Sequence, residues 1–262
     1  MGTISNALGL LNLFSESQPE IGLAEMRSLS GYDKATTYRY LSELVAFGLL
    51  EQDPDTKRYR LGPAVLRLAN VRESLFPLRS AVQAITDRLS EATSETAHIS
   101  LLQGLTLSPL AKKESPKHAA RVSLALSEIL PLHATASGLA ILAFADAALL
   151  ERTIRSPMKK YTEFTATDEE RLRADVAKTA ACGFGMSDQG YEEEVFGIAV
   201  PFFDERAHAI GTAAVASPTS RMSEELATTI KKSLIVAARA ITETRGGTIP
   251  EKLEEAWRRG GF

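Results

Sequence analysis

Two groups of residues in this chain have the types and spacing to do chemistry. In the first, Lys34, Ala35, Thr36, Thr37, Arg39 and Tyr40 crowd one helical stretch, and Lys57, Arg58 and Arg60 flank Tyr59 a little further on. Arginine offers a planar fork of donors that matches phosphate or a guanine edge. Short threonines let a helix sit deep in a groove and bond to bases or phosphates. The second group is Ala134-Thr135-Ala136-Ser137-Gly138, small residues at the start of a helical pattern. Free amide N–H groups and the positive end of a helix dipole suit such a place to an anion, and Ser137 adds a hydroxyl donor.

Other chemistries lack their residues. No Gly-x-Ser-x-Gly, phosphate loop or dinucleotide fingerprint occurs. His98, His118, His133 and His208 are scattered without metal-ligand spacing, and Cys182 has no partner cysteine. His133 beside Thr135 and Ser137 has the makings of a nucleophile–base pair, but a loop histidine preceding an anion-binding helix is the more economical reading. Glu192-Glu193-Glu194 reads as a solvated charge run. The expectation is a protein with no catalytic residue, no metal and no cofactor.

Both groups need a scaffold. Ile4, Ala7, Leu8, Leu11 and Phe14 mark one face of a helix, and Leu23, Met26 and Leu29 a second, shorter one. Gly31 supplies a turn and Asp33 a cap for a third helix, whose buried face is read as Tyr38, Leu41, Leu44 and Val45 and which Gly48 ends. Leu49 to Gln52 and Lys57 to Leu61 then read as a hairpin about Asp53-Pro54-Asp55-Thr56. Helix, helix, turn, helix and hairpin make a winged helix-turn-helix, with the first group of residues on its third helix and wing. A further helix, Ala64 to Glu73, links this part to a helix from Phe76 to Leu89.

Beyond Thr96 the pattern becomes mixed. Strands are expected at Ala97–Leu102, Leu105–Ala111, Val122–Leu126, Ile198–Phe203 and Ala209–Ala216. Helices are expected at Ala134–Leu150, at Asp168–Ala181 opened by Thr167, and at Glu224–Thr244. One antiparallel sheet flanked by helices gives an α+β fold.

Three stretches together resemble the IclR family of bacterial transcriptional regulators. The first is Gly31-Tyr32-Asp33-Lys34-Ala35-Thr36-Thr37-Tyr38-Arg39-Tyr40-Leu41, with Gly48-Leu49-Leu50 and Tyr59-Arg60-Leu61-Gly62. The second is Leu130-Pro131-Leu132-His133-Ala134-Thr135-Ala136-Ser137-Gly138. The third is Gly183-Phe184, Ile198-Ala199-Val200-Pro201-Phe202-Phe203-Asp204 and Ala216-Ser217-Pro218. The resemblance implies a C-terminal domain of GAF-like α/β fold that binds small organic effectors, often carboxylic acids. It also implies dimers or tetramers acting on palindromic double-stranded DNA operators. The domains are then residues 1–62, the winged helix-turn-helix; 63–74, the linker helix; 75–246, the effector-binding domain; and 247–262, a tail. By the same resemblance, Val122, Asp188, Gly197, Ala214 and Ala216 complete a pocket with Ala136, Ser137 and Gly138. Ala214 and Ala216 lie two apart on a strand and share a face, and their methyls favour an aromatic or branched acid. This chain departs from the family in having Leu139 where lysine is usual and Glu194 where glycine is usual.

Bulk composition narrows the classes without deciding between them. Hydrophobic residues make up 44% and charged residues 24% of 262, with net charge −3. In residues 1–72 the basic and acidic side chains balance at eight each, which argues against a strong nonspecific DNA binder but leaves a sequence-specific one open. The balance keeps alive a sensor that acts through protein partners. No apolar run is long enough to cross a membrane, no secretory signal opens the chain, and a single cysteine fits a reducing cytoplasm.

Overall fold

A computed structural model describes residues 2–75 and 78–262. The chain divides into two compact units, Met1–Leu78 and Arg79–Phe262. The expected helix from Phe76 onward begins outside the described residues and is seen from Leu78.

In the first unit, α1 (Thr3–Gly9) tightens into a 3-10 turn over Leu10–Leu13. α2 (Leu23–Ser30) ends at Gly31, whose φ of 73° is a conformation glycine adopts freely. α3 (Lys34–Ala46) is capped by Asp33, which accepts from the Thr36 amide at 2.9 Å. β1 (Leu50–Gln52) and β2 (Tyr59–Leu61) pair antiparallel, and a bridge from Ile21 to Tyr59 extends the wing. Leu10, Phe14, Ile21, Met26, Tyr40, Leu41, Leu44, Leu50 and Tyr59 form one core. Tightening at Leu10 changes which side chains face inward: Leu10 is buried, while Ile4 and Leu8 are exposed. Leu29, expected inside, is exposed as well. α4 (Pro63–Leu75) buries none of its residues and leaves Leu66, Leu68, Val71 and Leu75 open.

The second unit begins with α5 (Leu78–Thr93). Its sheet comprises β3 (Thr96–Gln103), β4 (Thr106–Lys113), β5 (Leu130–Pro131), β6 (Gly185–Asp188), β7 (Val195–Phe203) and β8 (Ala209–Pro218). The strands run antiparallel in the order β5-β4-β3-β8-β7-β6. α6 (Ala136–Phe144) and α9 (Glu224–Thr244) both pack against β7 and β8 and so take the two faces of the sheet. Every residue of α6 from Ala136 to Leu142 is buried, as befits a helix apolar on all sides. It lies close because its contacts are small: Ala136 and Ala140 meet Ala199 and Ala214. A Cβ on Gly138 would collide with the Leu132 backbone, and one on Gly185 with the Ala136 carbonyl.

Several boundaries differ from the sequence reading. The helix expected over Ala134–Leu150 is two, because Asp146 accepts from the Ala148 amide at 2.8 Å and starts α7 (Ala147–Ile154). α8 (Glu169–Cys182) is capped by Asp168 rather than Thr167. Val122–Leu126 is not a strand. Its carbonyls accept from side chains instead, Val122 from Thr96 Oγ1 and Leu124 from Lys112 Nζ, both at 2.6 Å. The edge strand is β5, and β6 was not foreseen.

The last residues, read as a tail, fold as α10 (Glu251–Arg259). Trp257 is 1% exposed and its indole N–H donates to the Gly183 carbonyl at 3.0 Å. Trp257→Ala should lower the unfolding free energy by roughly 3–5 kcal/mol, the range for a large buried aromatic, in urea titrations followed by circular dichroism. A loss under about 1 kcal/mol would mean that this helix is not part of the cooperative core.

Candidate nucleic-acid interface and ligand pocket

α3 presents Lys34, Ala35, Tyr38 and Arg39 to solvent. Tyr38 had been placed on the buried face, yet it is 58% exposed. Thr37 and Tyr40, expected outside, are instead buried, at 0% and 6% exposure. Thr37 Oγ1 donates to the Asp33 carbonyl, and Tyr40 packs edge-on to Tyr32 with centroids 5.6 Å apart. The helix thus keeps Leu41 and Leu44 inside as expected but buries Thr37 and Tyr40 in place of Tyr38, since an aromatic ring near a turn can fill the core as well as its neighbour can. Thr36 is half-buried, with its hydroxyl donated to Asp33 at 2.8 Å.

The wing carries all three expected cations but holds two of them. Arg58 donates to the Glu20 carbonyl at 2.6 Å and to Glu25 at 3.0 Å. Arg60 bonds Glu51 at 2.5 Å, its partner across the hairpin, and lies 3.7 Å from Glu20. Lys57, at the tip with φ 58°, is exposed and makes no ion pair among the described residues. The restraint on Arg58 could not be seen in the sequence, because its partners Glu20 and Glu25 come from far along the chain.

In the second unit a cavity partly open to solvent lies at the start of α6. Val122, Ala136, Ser137, Gly197 and Ala216 line it as expected. Three expected members do not. Gly138 faces the Leu132 backbone and its amide is taken by the capping Thr135 Oγ1 at 3.0 Å. Ala214 is 1% exposed within the alanine contact between helix and sheet. Asp188 is exposed and lines a neighbouring cleft with Arg171, Asp175 and Lys178. Among the described residues, the Ala136 and Ser137 amides have no acceptor.

Sequence reasoning missed His98, Leu124, Leu130, Tyr191 and Glu192 in the wall. The alternation Thr96, His98, Ser100 along β3 was the available signal for His98, since it puts three polar side chains on one face. His98 is 8% exposed; its Nε2 lies 3.5 Å from Ser137 Oγ and its Nδ1 has no partner among the described residues. Burial pushes its pKa down to about 4, so the ring is neutral at pH 7. His133 is not part of this cavity: it lines the neighbouring cleft, and its Nε2 lies 2.9 Å from the Lys159 carbonyl. Glu192 is exposed, as expected of a solvated charge run, and also borders the cavity; partial burial first and then the Glu128 carboxylate hold its pKa above the usual range. The Tyr191 hydroxyl donates to Glu128 at 2.6 Å, and burial followed by this bond raises its pKa strongly. Among the described residues no cluster of His, Cys, Asp and Glu could hold a metal ion, and no helix is long and apolar enough to cross a membrane.

A winged helix-turn-helix unit joined in one chain to an α/β unit with a partly open pocket defines the class of DNA-binding regulators that sense small molecules. The family model for the IclR helix-turn-helix domain matches residues 3–54, and that for the bacterial transcriptional regulator IclR C-terminal domain matches residues 74–243. The chain belongs to the IclR family of transcriptional regulators. It is 26% identical over 247 residues to the HTH-type transcriptional regulator XynR of Escherichia coli, covering 93% of this chain and 97% of that one. The crystal structure of a candidate ICLR transcriptional regulator from Silicibacter sp. TM1040 superposes with a TM-score of 0.86 at 42% identity, over 96% of this chain and 99% of that one. An IclR homolog from Microbacterium hydrocarbonoxydans, complexed with 4-hydroxybenzoate, shares the fold with a TM-score of 0.72 at 21% identity, over 92% of this chain and all of that one.

Two substitutions test this geometry. Between pH 6.5 and about 4 the unfolded chain binds a proton at His98 that the folded chain does not. The stability held by the neutral ring is therefore complete above pH 6.5 and is lost as pH falls, by roughly 3 kcal/mol across that window. His98→Gln should flatten that part of the urea-stability profile, and an unchanged slope would place the proton uptake elsewhere. Glu194 holds φ at 62°, which explains why glycine is usual there in the family that the chain resembles. Glu194→Gly should raise stability by up to about 1 kcal/mol through relief of the left-handed backbone. A lower melting temperature would show that the side chain contributes more than the strain costs.

Proposed function

We propose that the exposed edge of α3 reads operator DNA and that a small organic acid held at the start of α6 modulates that binding. The observation that carries the first part is the outward set Lys34, Tyr38 and Arg39 on the third helix of a unit matched by the IclR helix-turn-helix model. Lys34 and Arg39 supply phosphate or guanine contacts, Ala35 a close approach, and Tyr38 a broad face with a polar tip. Lys57 reaches the backbone from the wing. Arg58 and Arg60 are available only by exchanging a carboxylate for a phosphate, a trade that costs little where the pairs are half exposed.

The ligand reading is supported by the two unpartnered amides of Ala136 and Ser137 beside an otherwise largely apolar wall. The 4-hydroxybenzoate in the Microbacterium homolog is an acid of the same general class. Val122, Leu124, Leu130, Val195 and Ala216 suit the apolar body of such a molecule. Two copies of the chain would pair to place two α3 helices in successive major grooves of a palindromic site. The open Leu66, Leu68, Val71 and Leu75 of α4 support that self-association. Binding of the acid then shifts operator affinity only by its differential affinity for the two arrangements of the dimer.

Arg39→Ala should weaken specific binding by about 1–3 kcal/mol. Fluorescence anisotropy on DNA upstream of the chain's own gene, at two salt concentrations, measures this. Unchanged affinity in the variant would refute the proposed docking of α3. No saturable binding of the parent protein at either salt, with or without acid, would favour a sensor acting through protein partners.

A further inference from the structure

An anion entering the cavity at the start of α6 meets a wall with no fixed positive side chain. Among the described residues that line it there is no lysine or arginine, and His98 alone can become a cation. His98 Nε2 lies 3.5 Å from Ser137 Oγ, in the same turn of α6 whose Ala136 and Ser137 amides have no acceptor among the described residues. Its Nδ1 is buried and likewise has no partner there. The neutral ring can therefore gain a second N–H without breaking a bond. Two more buried hydroxyls without partners, Ser100 Oγ and Thr212 Oγ1, share this face of the sheet at directly paired positions of β3 and β8. Burial is what keeps the ring neutral, a cost that an adjacent carboxylate offsets.

The other charges around His98 are committed or lie elsewhere in the wall. Lys112, its partner across β4, donates to the Leu124 carbonyl at 2.6 Å and pairs with Glu114 at 3.4 Å. Ala214, its partner across β8, is uncharged, and α6 carries no titratable group. The turn between β6 and β7 brings Tyr191, whose hydroxyl donates to Glu128, and the exposed Glu192, a second wall group able to take up a proton.

We infer that the pocket takes up its acid together with a proton, and that His98 holds this proton beside the bound carboxylate. The inference rests on the reading of the cavity as the acid site and adds how that site meets the charge. A carboxylate accepting from the Ser137 amide sits next to the His98 nitrogen that faces Ser137. The imidazole takes one proton from solvent, both its nitrogens then carry hydrogen, and occupancy adds no net charge to the unit. The bound anion raises the pKa of the ring, so the acid binds more tightly as pH falls below neutrality. Above the pKa of the ring in the complex, affinity falls by up to about tenfold per pH unit.

Isothermal titration calorimetry on the full chain at pH 5.5, in buffers of different ionisation enthalpy, counts the protons taken up. The probes are 4-hydroxybenzoate and 3-methylbutanoate, each beside its neutral amide. We expect about half a proton or more per bound acid, and a Kd at least about threefold lower at pH 5.5 than at pH 7.5. The amides should bind with no uptake. His98→Gln should bring the uptake near zero and level the two Kd values, whereas Glu192→Gln should change neither. Melting curves establish that both variants are folded. The parent protein gives an independent reading by imidazole C–H NMR titration, in which one histidine of low pKa should rise by about one to three pH units on saturation with acid. Binding of an acid with no proton uptake and a Kd independent of pH overturns the inference and leaves the acid site standing. Uptake that survives in His98→Gln, disappears in Glu192→Gln or accompanies the amides overturns the assignment to His98. Failure of both acids to bind the parent protein overturns the inference and the acid reading beneath it.

Discussion

The second unit depends on how closely α6 can approach its sheet. Four alanines and Gly185 remove the side chains that would hold the helix off its sheet, and Gly138 lets the Leu132 backbone close against it. Once the helix is that deep, its first turn sits inside the unit, where two open amides face low-dielectric surroundings. Hydrogen bonds and dipoles are stronger there than in water. The same closeness buries His98 beneath the helix start and removes its charge. A larger residue at Gly138 would push the helix outward, and the cavity, the neutral imidazole and the open amides would change together.

The first unit shows the opposite economy, since its functional edge is whatever the core does not need. Thr37 and Tyr40 are drawn inward to the Asp33 turn and the Tyr32 ring, and Tyr38 and Arg39 are turned outward as a result. Packing within a helix of thirteen residues therefore chooses which side chains can meet a partner. The distal carboxylates of Glu20, Glu25 and Glu51 in turn set how freely the wing cations can do so.

Much of the fold was legible because it is written locally. Asp33 as a cap, Gly31 as a turn, Gly48 just past the end of α3, and the hairpin about Asp53 follow from neighbours within four residues. The opening of α6 was legible for the same reason. What escaped were choices made by distant partners. Tyr38 and Tyr40 are equally good core residues by period, and only Tyr32 and the rest of the core separate them. Glu192 is exposed like Glu193 and Glu194, as their sequence suggests, and only the closure of the sheet brings it to border the cavity as well. Trp257 lies in a short charged helix whose apolar face has meaning only against Gly183 and α8. His98 stood in a visible alternation of polar residues, a signal outweighed by the usual fate of a lone histidine.

The paired arginines of the wing bear on how such a unit moves over DNA that it is not meant to occupy. An arginine already satisfied by a carboxylate offers a passing phosphate little net gain, so the hold on random duplex is brief and the molecule departs after a short visit. If α3 docks as proposed, its edge would seat first at a fitting site and bring the wing within reach, and only then would the exchange of carboxylate for phosphate become favourable. On that proposal, two internal ion pairs would favour quick search and selective residence, with the grip reserved for the sequence that lets both contacts form at once.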